Sequence, residues 1–168
     1  DRPINPLLAA IAVLCIAVLG LSAQGAADSI SKASTGNYYT KSSLAGEDLW
    51  KALEARQCAI SVATVNADGS PNAAVVIPGV TKDRLYLMFG LAPNQTGVNL
   101  KERRFAVVTA YIYNSAAADK LERNKGARSI VEYVSDPELS ARLREENKDK
   151  GAAPTTIFTR IVKVLPLG

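Results

Sequence analysis

The sequence predicts a small antiparallel β-barrel with short helices on its outside. Three observations carry this. Six segments have strand length and either alternate or run apolar. Turn-forming residues separate most of them, and only two or three short stretches show helical spacing.

The elements follow in order. "SLAGEDLWKALEARQ" is a helix: Leu49, Ala52 and Leu53 share a face, Glu47 and Asp48 suit its first turn, and Ser43 is the expected N-cap. "CAISVATVNADGSPNAAVVIPGV" is a hairpin. Ile60, Val62 and Thr64 alternate with Ser61, Ala63 and Val65, and Asp68-Gly69 is its tip. "RLYLMFG", residues 84–90, is a strand introduced by the turn "TKD". "FAVVTAYIY", 105–113, is apolar on both faces, which suits burial on two sides. "NSAAADKLERNK" reads as a polar excursion, and "GARSIVEYVSD", 126–136, as a strand. Asp136, Pro137 and Glu138 open a helix that Gly151 closes. "TTIFTRIVKVLPL", 155–167, is the last strand.

Composition narrows the function. The chain has 168 residues, 48% of them hydrophobic, enough for one domain with a core and an extension. A net charge of +4 is mild, and most basic residues have acidic neighbours, as in "KLERNKGAR" and "LREENKDK". These are solvated faces, so nucleic-acid binding is not expected. The absence of histidine removes the commonest metal ligand and general base. Cys15 and Cys58 fit no zinc spacing and no disulfide; Cys58 reads as a small buried residue. No metal site and no catalytic acid–base pair is expected.

Residues 4–27 carry no charge and follow Arg2. A basic start, an apolar core and small residues at 23–27 are the parts of a secretory signal. The apolar run over residues 7–23 is also near the lower length limit for a membrane helix. Residues 1–27 are therefore a membrane anchor helix or a signal peptide, 28–43 a Ser/Thr/Gly/Asn-rich linker, and 44–168 the folded domain. The domain is expected outside the cytoplasm, on the periplasmic side, anchored by the first helix or secreted after cleavage.

"NQTGVNLKERR", 94–104, places polar residues at a helix start, where free N–H groups and the dipole favour anions. Its cations, Lys101, Arg103 and Arg104, lie inside the helix. The hairpin "VATVNADGSPN", then Thr96, Asn99 and Leu100 spaced T-x-x-N-L and followed at once by a strand, resemble the flavin-binding split barrels. These are the pyridoxamine 5′-phosphate oxidase-like superfamily, and the likeness is to its small FMN-binding members. It runs from about Leu49 to the C-terminus, with 115–125 as an insertion. The resemblance implies a six-stranded antiparallel split β-barrel with short flanking helices, preceded here by the hydrophobic N-terminal helix. It implies a homodimer, with the FMN phosphate against 94–99 and the ring beside strands 73–77 and 86–90. Carried onto this chain, the cofactor-binding residues are Val75, Val76, Met88, Phe89, Gly90, Asn94, Gln95, Thr96 and Asn99. Gln95 stands where small members often have Lys, and "NAAVVIP" lacks the cations of the oxidases proper.

Two functions follow. One is an FMN-binding, membrane-attached protein with an electron-transfer role. The other is a cofactor-free barrel serving as an accessory subunit of a membrane complex. Plainer readings of single residues stand beside these: Thr96 as an N-cap, Arg103 and Arg104 on a solvated turn, Tyr111 and Tyr113 in the barrel wall or a dimer contact, Met88 and Phe89 in the core.

Overall fold

The computed structural model describes residues 42–56 and 58–167, and the statements below concern these. Seven antiparallel strands form one sheet: β1 (Ala59–Val65), β2 (Pro71–Val75), β3 (Gly79–Val80), β4 (Tyr86–Phe89), β5 (Phe105–Tyr113), β6 (Asn124–Tyr133) and β7 (Ile157–Leu165). Their order is β2-β1-β5-β6-β7-β4-β3. Four helices accompany them: α1 (Gly46–Glu54), α2 (Gln95–Arg103), α3 (Lys120–Arg123) and α4 (Pro137–Glu146). The sheet curls into a half-barrel whose edges, β2 and β3, do not pair with each other.

The hairpin forms as its sequence dictates. Ile60, Val62 and Thr64 are buried, and their neighbours on β1 are not. Gly69 sits at the tip with φ +85°, a backbone state that costs glycine little. The Asp68 carboxylate accepts hydrogen bonds from the amide and hydroxyl of Ser70 and locks the turn.

Alternation along β4 divides the apolar interior in two. Leu87 and Phe89 point into the barrel with Leu53, Ile60, Val62, Leu100, Val108 and Val131. Met88 points outward, where it joins Phe158, Val134 and Leu143 of α4 in a second cluster. One sheet thus carries a barrel core on one face and a helix on the other. Gly126 of β6 is required by close approach, since a Cβ there would lie 2.3 Å from the Ala110 carbonyl oxygen on β5.

Several expectations need correction. There are seven strands, not six, because β3 is only two residues long and carries too little pattern to read. Ser43 does not cap α1. That helix starts at Gly46 behind Ala45 with no side-chain cap, while Ser43 bridges to Gly126 and accepts from the Leu167 amide. The excursion 114–125 ends in α3, capped by Asp119, and β6 begins at Asn124. β5 buries Ala106, Val108 and Ala110 on one face and leaves the other half-exposed. The expected opening of α4 is present: the Asp136 carboxylate accepts from the amides of Glu138 and Leu139, with Pro137 first in the helix. The anchor or signal, residues 1–27, lies outside the described residues. Among the described residues no helix is long and apolar enough to cross a membrane.

Candidate functional site

The segment 90–94 carries the chain from β4 into α2. Asn94 is the N-cap, in extended backbone, and its side chain accepts from the Gly97 amide at 2.9 Å. Its carbonyl accepts from the Val98 amide at 3.2 Å. The amides of Gln95 and Thr96 have no acceptor among the described residues, as expected for a first helical turn. Thr96 is therefore not the cap; it lies inside the helix and is buried.

Helical spacing gives α2 two faces. Thr96, Asn99 and Leu100 face the barrel. There the side chains form a polar network. Asn72 Nδ2 donates to the hydroxyls of Thr64 and Thr96 at 2.9 and 3.0 Å. Asn99 Nδ2 donates to Thr64 Oγ1 at 3.0 Å and Asn66 Oδ1 at 2.8 Å, and Asn99 Oδ1 accepts from Gln95 Nε2 at 2.7 Å. Asn99 is fully buried and satisfied. The network ties the hairpin to the start of α2.

Asn94, Gly97, Val98 and Lys101 face the other way, into a cleft of about 710 Å³. That volume lies within the range of small-molecule sites. Tyr133 at the end of β6, Ser140 and Arg144 of α4, and the loop 154–156 form its far side. Leu91, Pro93, Ile157 and Phe158 give it apolar walls.

Its electrostatics are one-sided. Lys101 and Arg144 line the cleft, and no carboxylate does. Neither cation joins an ion pair among the described residues. The Nε of Arg144 is buried and has no hydrogen-bond partner. An ionic donor left in that state is costly, so the cleft favours an acceptor. Ser140, one turn before Arg144, spends its hydroxyl on the Val134 carbonyl.

Of the nine residues expected to hold a cofactor, Asn94 and Gln95 line this cleft. Thr96 and Asn99 are committed to the network behind it. Met88 and Phe89 are buried in the two cores, and Val76 packs against the barrel core. Val75 is 82% exposed on the edge strand, and Gly90 is exposed beside the loop. Arg103 donates to the Ala67 carbonyl and Arg104 pairs with Glu132, so neither serves the cleft. Tyr111 donates to Asn124, and Tyr113 is exposed. Arg144 was not legible as a site residue. It shares a helical face with Ser140, but nothing in the sequence brings that face to α2. Among the described residues no group of ligating side chains could hold a metal ion.

The curled sheet, the helix between β4 and β5 and the hairpin tied to that helix define a split β-barrel. Solved structures share it. An FMN-binding protein from Syntrophomonas wolfei subsp. wolfei matches with a TM-score of 0.52 and 19% identity, over 73% of this chain and 85% of that one. A single-substitution variant of HupZ from Group A Streptococcus matches with a TM-score of 0.51 and 14% identity, over 73% of this chain and 98% of that one. No protein-family model matches the sequence, and no curated protein does.

Proposed function

We propose that this protein binds flavin mononucleotide, or a closely related phosphate-bearing flavin, and does redox work with it. The observation that carries the reading is the cleft at the start of α2, which is lined by Gln95 with its uncommitted amide and by two cations outside any ion pair among the described residues, and presents no carboxylate. The residues fit such a group. Its phosphate would meet the Gln95 amide in a cleft that Lys101 and Arg144 also line, and Leu91, Val98, Ile157 and Phe158 would exclude water from the organic part. A bound flavin supplies reversible electron transfer; the chain supplies binding, orientation and a dry wall. With no histidine in the sequence, no imidazole takes part as acid or base. The FMN-binding neighbour of the same fold supports the choice of ligand.

The test is a titration of purified full-length protein with FMN, read by flavin fluorescence. Saturable one-to-one binding is expected. A protein that leaves the fluorescence unchanged at millimolar concentration contradicts the reading.

We further infer a setting outside the cytoplasm, attached to the membrane through residues 7–23, in a homodimer or a larger complex. The uncharged run 4–27 supports the first part. The exposed Val65, Val75 and Ile77 on the edge hairpin and the turn after it support the second. Cell fractionation and light scattering check these separately. The alternative, a cofactor-free barrel acting as an accessory subunit, is supported by the network that takes up the side chains of Thr96 and Asn99. A protein purified without flavin that ignores added FMN would favour it.

A further inference from the structure

We propose that the outer edge of β2 pairs with the same edge of a second copy of this chain, antiparallel about a two-fold axis, so that one sheet runs through both copies. This rests on the homodimer reading for the existence of a pair. It does not rest on the flavin, since no residue of 71–77 lines the cleft.

Hydrogen bonds fix which backbone groups are free. The Asn66 amide donates to the Ser70 carbonyl, and the Val76 amide to the Ile60 carbonyl. Between these, Thr64 stands opposite Asn72 and Val62 opposite Ala74. Antiparallel alternation therefore turns the backbone groups of Asn72, Ala74 and Val76 toward β1 and those of Ala73, Val75 and Ile77 away from it. β2 ends the sheet, so among the described residues no strand meets that outer row.

Open edges are ordinarily guarded by a charge, a bulge or a proline within the strand. Residues 70–81 carry no charge, and Pro71 and Pro78 bracket the run 72–77 without interrupting it. Val75 is 82% exposed and Ile77 55%. An uncharged, β-prone and unguarded edge is a template for another strand. The opposite edge differs: β3 is two residues long, and its Val80 carbonyl already accepts from Lys150.

β2 itself is the strand that fits. A two-fold axis at Val75 sets that residue against its own counterpart and Ala73 against Ile77, small against large. Each of the three then both donates and accepts across the axis, and no like charges meet. Pro71, which lacks an N–H, stops the ladder just outside these pairs.

The experiment uses the full-length chain in detergent with Cys15→Ser, where Cys58 is buried. Val75→Cys and Val65→Cys are each treated with a mild oxidant and resolved without reductant. Opposed Cα atoms of a hydrogen-bonded pair lie about 5.5 Å apart, within disulfide reach. A covalent dimer is expected from Val75→Cys. None is expected from Val65→Cys, which is exposed on β1 but one strand in from the edge. Sedimentation then compares the parent with Val75→Lys, after melting curves confirm that the variant folds. Facing lysines should raise the dimer dissociation constant about tenfold. A dimer that Val75→Lys leaves intact and Val75→Cys does not cross-link overturns the proposal while the homodimer stands. A parent that sediments as a monomer at every concentration removes both.

Discussion

Asn72 Nδ2 donates to the hydroxyl of Thr96 at 3.0 Å, across 24 residues of chain. The bond turns the side chain of Thr96 toward the hairpin and leaves its amide at the helix start. Backbone and side chain of one residue thus serve different partners.

Thr96→Val should therefore destabilise the ligand-free protein. Loss of this acceptor leaves an Asn72 donor with fewer partners, at a cost of about 0.5–1.5 kcal/mol. Urea denaturation without ligand measures it. An unchanged midpoint would mean that the hydroxyl is not held by the hairpin.

Asn99 should be less replaceable. It is fully buried, donates to Thr64 and Asn66 and accepts from Gln95. Asn99→Leu removes three hydrogen bonds, although Asn72 still reaches the Thr64 hydroxyl and Gln95 is exposed, for a loss of about 1–3 kcal/mol. The hairpin should also come loose from α2, so amide exchange near Asn66 should speed up more than exchange in β6. Uniform acceleration throughout the sheet would contradict this local coupling.

Arg84 sets a pH dependence. It donates to Glu54 at 2.7 Å and to Glu47 at 2.7 Å. The hydrogen bond from Arg84 holds the Glu54 carboxyl below its ordinary value, against an opposing contribution from burial. A carboxyl depressed on folding adds stability above its unfolded pKa, and that stability disappears as pH falls through the folded value. Glu54→Gln should thus be less stable than the parent at neutral pH, with the difference closing in acid. Denaturation midpoints across a pH series test this; a gap constant at every pH would count against it.

Cys58 should be inert in the native state. Burial pushes its thiol pKa up, and its Sγ donates to the Ala52 carbonyl at 3.3 Å. In a Cys15→Ser background, a thiol reagent should label Cys58 only after denaturant is added. Rapid labelling of the folded protein would place the residue in an open site.

Gly126→Ala should strain the sheet. The added methyl would lie 2.3 Å from the Ala110 carbonyl oxygen, so β5 and β6 must part there. A loss of about 1–3 kcal/mol is expected from such overpacking, read as a lower thermal midpoint.

Local patterns were the legible part of this protein. Ile60, Val62 and Thr64 announced the buried face of β1, Asp68-Gly69 its turn, and Asp136-Pro137 the start of α4, because each signal lies within a few residues. The capping of α2 was half legible: the polar run marked the helix start, but Asn94 and Thr96 are both competent caps, and only tertiary contacts with Asn72 decide between them. β3 was too short to show a period. The cations of the cleft were illegible as a pair. Lys101 and Arg144 line one cleft because β6 pairs with β7 and β7 with β4, a long-range order that local spacing does not encode.

The most direct test is an amide and guanidinium NMR map of the full-length protein as FMN is added. The largest shifts are expected at the Gln95 amide, with the Nε–H of Arg144 moving downfield as it gains an acceptor. Shifts confined to Val75 and Val76 on the edge strand, with Arg144 unmoved, would contradict the reading.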